Sequence, residues 1–381
     1  MAEVAFAKGL EGVVAAESSI CKIDGEHGKL YYRGYSIQDL AAHSDFEETT
    51  FLLLYERLPT KGELEAFRKR MRESRRLATP ILDMIRNFPV GAHPMELLQS
   101  VISYLSGYVE HKIHHSATCN CRDTLHQIVQ LASVVAAYNR YRNGEDYVPP
   151  RMDLSHGGNF LYMMRGTEPE PYESRIMDVC LILHAEHGFN ASTFTARVVA
   201  STMSTCYSSI SAAIGALYGT LHGGANEDVM NMIEKIGSKA NVEKFVNDTL
   251  DRHEKIPGMG HRVYKAKDPR AIVIEELLDE LSEKSGDRKN QEILKDVERV
   301  FRARMETAGK PIYPNVDFFS GAVYTMLGFP KQLFTPVFAV SRVSGWLAHV
   351  LEQRVGNRIY RPTSRYVGPE AAEYIPIDSR R

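Results

Sequence analysis

Cysteine is scarce in this chain: five among 381 residues. So small and odd a set does not make a disulfide framework, and a reducing cytoplasm is the expected setting. Net charge is nearly absent, with 46 basic against 48 acidic side chains, a formal −2. No global field then favours nucleic acid or an anionic membrane. Long apolar runs are missing as well. The longest stretch free of Lys, Arg, Asp and Glu covers 198–226, but Ser, Thr, Gly and His222 interrupt it. That makes a poor bilayer span. It reads instead as two buried helices whose small faces allow close backbone approach. The N-terminal MAEVAFAKGLEGVV holds Glu3, Lys8 and Glu11 and lacks the basic-then-apolar order of a secretory leader. There is no GxxxxGK[ST], no HExxH and no GxGxxG after a strand; Gly258-Met259-Gly260 stops short of one. P-loop, zincin and dinucleotide-fold chemistry lose their signatures.

What is present is helical. Apolar residues recur at three- and four-residue spacing over 47–56, 61–75, 94–109, 124–141, 171–183, 226–236, 290–305 and 336–352, the pattern of amphipathic helices. Thr60 with Glu63, and Asp268 before Pro269, mark helix starts. The clearest strand signal is N-terminal, where 19–23 and 29–32 flank the turn pair Asp24-Gly25. The expected fold is mostly α, with one small N-terminal β-hairpin. No repeat or long linker breaks it. Hydrophobic residues at 44% and charged ones at 25% are ordinary globular values.

Several clusters could carry chemistry. His184 and His187 stand three apart and could share a helix face, but no third ligand is evident. His111, His114, His115, Cys119, Cys121 and His126 are dense, yet Cys-x-Cys is not a standard zinc spacing. No metal site is expected at either. The run Arg68-Lys69-Arg70 with Arg72, Arg75 and Arg76 reads as an exposed helix face. Three other segments say more together: Leu221-His222-Gly223-Gly224-Ala225-Asn226-Glu227; Gly258-Met259-Gly260-His261-Arg262-Val263-Tyr264-Lys265 running to Asp268-Pro269-Arg270; and Tyr313-Pro314-Asn315-Val316-Asp317-Phe318-Phe319. The first two set a histidine beside glycines. The third sets an acid among apolar residues, where desolvation makes a stronger base.

In this order and wording the segments resemble the citrate synthase family. The likeness covers nearly the whole chain, from Ile23-Asp24-Gly25 and Leu30-Tyr31-Tyr32-Arg33-Gly34-Tyr35, through His184-Ala185-Glu186-His187-Gly188-Phe189-Asn190-Ala191-Ser192-Thr193, to Phe338-Ala339-Val340-Ser341-Arg342 and Arg361-Pro362. It is nearest to the short, dimeric bacterial and archaeal form. The resemblance implies a catalytic trio of His222, His261 and Asp317. It implies oxaloacetate contacts from His187, Arg270, Arg342 and Arg361, the last reaching across from a partner subunit. Arg262 and Lys265 are the coenzyme A contacts it suggests. It also implies a two-domain layout: a large domain over 1–218, a small one over 219–323 carrying the trio, and a return over 324–381.

The reaction so implied is a Claisen-type condensation of acetyl-CoA with oxaloacetate, followed by thioester hydrolysis, in a cytoplasmic homodimer. It asks for no metal or redox cofactor, no nucleic acid and no membrane. An ordinary carboxyl titrates near 4, and the thioester methyl is a weaker acid by roughly 15 units, a gap of about 20 kcal/mol. Donors placed on the developing oxygen must close most of it. Arginine forks suit a dicarboxylate substrate. Propionyl-CoA in place of acetyl-CoA, giving 2-methylcitrate, is the near alternative, since one methylene is worth only about 1–3 kcal/mol. A metal-dependent hydrolase built on His184 and His187, and a non-catalytic helical scaffold, are the remote ones.

Overall fold

The computed structural model describes residues 6–108 and 125–380. Within them β1 (Cys21–Asp24), β2 (Lys29–Tyr32) and β3 (Tyr35–Ser36) form one antiparallel sheet in that order. Cys21 pairs with Tyr32 and Asp24 with Lys29, so Asp24-Gly25 opens the hairpin turn as its sequence indicates. The third strand is an addition.

Sixteen α-helices follow among the described residues. The first group is α1 (Ile37–His43), α2 (Phe46–Tyr55), α3 (Lys61–Glu73), α4 (Thr79–Arg86), α5 (Pro94–Leu105) and α6 (Leu125–Arg142). Next come α7 (His156–Arg165), α8 (Pro171–Ala185), α9 (Ala191–Ser201) and α10 (Cys206–Tyr218). Then come α11 (Ala225–Ile236), α12 (Val242–Asp251), α13 (Pro269–Ser285), α14 (Lys289–Thr307) and α15 (Asp317–Met326), and last α16 (Phe334–Arg354). The mostly helical expectation holds.

Local chemistry explains the starts. Thr60 and Glu63 form a reciprocal capping box at α3. Asp268 accepts from the Arg270 amide at the head of α13, with Pro269 at the first turn. Each cap is worth about 1 kcal/mol. The uncharged stretch becomes α9 and α10, which pack on each other, with α10 also against α5 and α16. Helix α16 is buried nearly all round, its polar side chains Ser341, Arg342, Ser344 and His349 included. It lies against α2, α6, α8, α9 and α10. After it the chain leaves the core, and residues 361–380 are all exposed.

The basic run at the end of α3 is not simply a solvated face. Arg75 is completely buried and pairs with the buried Glu47 at 3.1 Å, while Arg68 and Arg72 approach the same carboxylate at 3.5 and 3.6 Å. Arg75 also donates to the Arg151 and Leu154 carbonyls. Burial pushes the Glu47 carboxyl up to about 7 against the pull of Arg75. A buried acid needs a counter-charge, and this run supplies it. The histidine and cysteine cluster at 111–121 lies outside the described residues; His126, on α6, contacts the Tyr207 hydroxyl.

Candidate active site

Helix ends and the loops beside them carry six of the candidate residues, near enough to act on one another electrostatically. His187 follows α8, His222 follows α10, His261 lies between α12 and α13, Arg270 is in the first turn of α13, Asp317 opens α15, and Arg342 sits midway along α16. The His261 and Asp317 segments are stitched together. Met259 and Pro314 form an antiparallel bridge. The Gly260 amide donates to the Tyr313 carbonyl and the Asn315 amide to the Gly258 carbonyl, each at 2.9 Å. The Asn315 side chain closes the stitch on the Gly260 carbonyl, also at 2.9 Å. Gly258 has φ +74°, and a Cβ there would lie 2.8 Å from the Phe318 Cα, so the approach requires glycine. The hairpin braces the same loop, since Gly25 accepts from the Lys265 amide at 2.8 Å.

The histidine tautomers follow from their donors. Nδ1 of His261 accepts from the amides of Val263 and Tyr264 at 3.0 and 3.2 Å. An amide can only donate, so the proton of neutral His261 is on Nε2. His222 is the mirror case. Its Nε2 accepts from the Ser192 amide at 3.3 Å and lies 2.8 Å from Ser192 Oγ, which leaves the proton on Nδ1. Ser192 Oγ in turn accepts from the Trp346 indole at 3.1 Å. His187 Nε2 lies 3.2 Å from the Tyr264 hydroxyl, and its ring meets that of His261 edge-on at 5.3 Å.

Electrostatics keep these groups apart in protonation. Burial, with Arg342 adding to it, holds His222 down to about 4. Burial and Arg270 hold His261 at about 4. His187 is lowered further in direction by burial, Arg270 and His261. All three are neutral at pH 7. Burial raises the Asp317 carboxyl to about 6, with Arg270 and Arg342 opposing. It is ionised at pH 7 yet more basic than a carboxylate in water.

The two cations are themselves buried. Arg270 grips Asp268 bidentately, Nε to Oδ1 at 3.0 Å and Nη2 to Oδ2 at 2.7 Å. Arg342 is anchored by Nε to the His184 carbonyl at 2.6 Å and rests on the Phe338 ring. Among the described residues it is in no ion pair. His184 is the packing histidine of the HAEH pair, fully buried, with Nδ1 donating to the Cys180 carbonyl at 2.9 Å.

Six of the nine candidate residues therefore lie within electrostatic reach of one another. Arg262 and Lys265 are exposed and paired with Glu11 and Glu26. Arg361 is not brought there by its own chain. It lines a separate groove of about 1030 Å³ with Leu10, Val13, Phe194, Arg197 and Glu352. Tyr264 and Ser192 are supporting residues to which the sequence assigns no role, and Asp268, a helix cap by its sequence, also holds Arg270. All three lie inside the motifs that carry the family resemblance.

A helical fold that sets neutral histidines, a desolvated carboxylate and two buried guanidiniums near one another has the groups that acid–base chemistry uses. A family model described as "Citrate synthase, C-terminal domain" matches residues 9–363, and the chain belongs to the citrate synthase family. It is 44% identical to a citrate synthase of Deinococcus radiodurans over 378 residues, 99% of each chain. It is 41% identical to a 2-methylcitrate synthase of Mycobacterium tuberculosis over 363 residues, 95% of this chain and 91% of that one. The citrate synthase structure from Pyrobaculum aerophilum superposes with a TM-score of 0.91 at 42% identity, covering 98% and 95% of the two chains. That of Thermoplasma acidophilum, a ternary complex with carboxymethyl coenzyme A and oxaloacetate, gives 0.92 at 34% identity over 99% and 100%.

Proposed function

We propose that this chain condenses acetyl-CoA with oxaloacetate and water to give citrate and CoA. The reading is supported by the mutual electrostatic influence of the candidate groups, with Arg270 and Arg342 acting on Asp317, Arg342 on His222 and Arg270 on His261, and by the protonation states that result. Arg270, Arg342 and His187 receive the oxaloacetate carboxylates. Asp317 takes a proton from the thioester methyl, and the Nδ1–H of His222 stabilises the enol oxygen that forms. The methyl carbon then bonds to the ketone carbon of oxaloacetate, while Nε2–H of His261 gives its proton to the ketone oxygen. Water hydrolyses the resulting citryl thioester, releasing citrate and the CoA thiol. The raised Asp317 pKa removes about 3 of the roughly 20 kcal/mol separating base from carbon acid. The donors supply the larger share.

Arg262 and Lys265 meet the CoA phosphates. Residues 219–323 act as a small domain that closes over the substrates and excludes water until carbon–carbon bond formation. The working form is a cytoplasmic homodimer in which Arg361 serves the partner's cleft. The exposed arm after α16, with Val355, Ile359, Tyr366 and Val367 open to solvent, supports that reading. The chemistry is complete with these side chains and substrates, without a metal or redox cofactor. The 41% identity to a 2-methylcitrate synthase favours propionyl-CoA as a second acyl donor. The test is CoA release with oxaloacetate and either thioester. Faster release from acetyl-CoA supports the main reading, and release from neither thioester refutes it.

A further inference from the structure

The polar face of α16 continues past Arg342. Gly345 and His349 follow at three and seven residues, on the same side of the helix. His349 is fully buried, and no step above uses it. Its Nδ1 lies 3.1 Å from Arg197 Nη1 and its Nε2 3.0 Å from Glu186 Oε1. A guanidinium only donates, so Nδ1 accepts and the imidazole proton on Nε2 is directed at the Glu186 carboxylate. The Gly188 amide donates to the same oxygen at 2.5 Å. Phe189 packs edge-on against His349 at 5.5 Å, under the Arg197 guanidinium.

Glu186 is completely buried and directly precedes His187. Its other oxygen, Oε2, has no hydrogen-bond partner among the described residues. It lies against Gly345, where a Cβ would collide with it. Arg342 is one turn away on the same helix face. Burial depresses the Arg342 guanidinium, and the Glu186 charge is the first influence opposing that. Two buried opposite charges attract strongly in such a medium. A Glu186 carboxylate released from its ties would be drawn toward Arg342, the cation the substrate needs.

We propose that His349 is a positioning residue: with Gly188 it ties Glu186 Oε1 and keeps that carboxylate off Arg342, leaving the guanidinium open to a substrate carboxylate. This rests on the reading that Arg342 receives oxaloacetate. Arg197 fixes the histidine from the far side and is itself held by Glu352 at 2.7 Å.

The test compares His349→Leu with His349→Gln in the full-length protein. Glutamine can donate to Glu186 and accept from Arg197; leucine can do neither. The leucine variant should raise the oxaloacetate KM roughly tenfold or more, leaving the acetyl-CoA KM and kcat within about threefold. The glutamine variant should restore the oxaloacetate KM to within about threefold of wild type. If leucine does not fold, His349→Asn, too short to bridge both neighbours, takes its place with the same expectation. An unchanged oxaloacetate KM in the leucine or asparagine variant overturns the proposal. So does a uniform loss in kcat and both KM values that follows melting temperature, since that marks a structural role alone. If the wild type releases no CoA with oxaloacetate and either thioester, the underlying reading fails and this proposal falls with it.

Discussion

Replacing Asp317 with Asn should slow the reaction and stabilise the fold at the same time. The carboxyl sits at about 6 instead of 3.8, burial being the largest cause. A raised carboxyl pKa means the native state holds the proton more tightly than the unfolded chain does. Below pH 3.8 both states are protonated and the difference vanishes. Above pH 6 both are ionised, and the native state bears the full cost of a desolvated charge. The gap from 3.8 to about 6 corresponds to about 3 kcal/mol. That is a ceiling, because Asp317 is only half-buried. One effect opposes it. Asp317 opens α15, and a carboxylate in a first turn gains about 0.3–1 kcal/mol from the helix dipole. Desolvation still wins, leaving roughly 2 kcal/mol in favour of Asn at neutral pH. For 381 residues the melting entropy is about 0.8 kcal/mol per degree, so Tm should rise by about 2–3 °C. Meanwhile kcat should fall by about 100-fold or more with the base removed. Scanning calorimetry of both proteins from pH 4 to 8 checks this. The Tm gap should open between pH 4 and 6 and stay level above. A variant that melts below wild type at pH 7.5, or a gap independent of pH, would refute the claim that Asp317 is a desolvated carboxylate.

The same values set the rate profile. kcat/KM should drop with unit slope below about pH 6 as Asp317 protonates, while His222 and His261, held near 4, contribute no inflection between pH 5 and 8; an inflection near 6.5 would mean that one of them titrates as if in water. Trp346, the single tryptophan, donates to Ser192 Oγ, which touches His222. Oxaloacetate should therefore shift its emission, and a flat titration alongside calorimetrically proven binding would count against the shared network. Mixed dimers of Arg361→Ala and Asp317→Asn chains should recover up to about a quarter of wild-type activity on random pairing, because one site of each hybrid carries both lesions and the other none. Heterodimers that form yet stay inactive would place Arg361 in its own subunit's chemistry.

The parts of the site that were legible in the sequence are those made by consecutive residues. Asp268-Pro269-Arg270 is both a helix cap and a bidentate ion pair, and both come from side chains two positions apart. Gly258 to Tyr264 encodes a positive-φ turn and the amides that choose the His261 tautomer. Long periodic helices such as α3 were equally plain, because spacing alone defines a buried face. α9 and α10 were visible only as an uncharged stretch, since small residues give little periodic contrast. What the sequence does not show depends on residues that meet only after folding. Glu47 and Arg75 are 28 positions apart, so the sequence of the run containing Arg75 carries no sign of the buried acid it pairs with. Glu186 and His349 are 163 apart, and nothing near either announces the other. The asymmetry has a physical origin. A group that acts on substrate needs an unusual backbone, and unusual backbone is written in neighbouring glycines, prolines and caps. A group that merely holds another in place needs only a hydrogen-bond partner at 3 Å, which any two buried helices can provide. The reacting groups are therefore the easier half to read from the sequence, and the groups that hold Arg342 available to its ligand need coordinates to be seen at all.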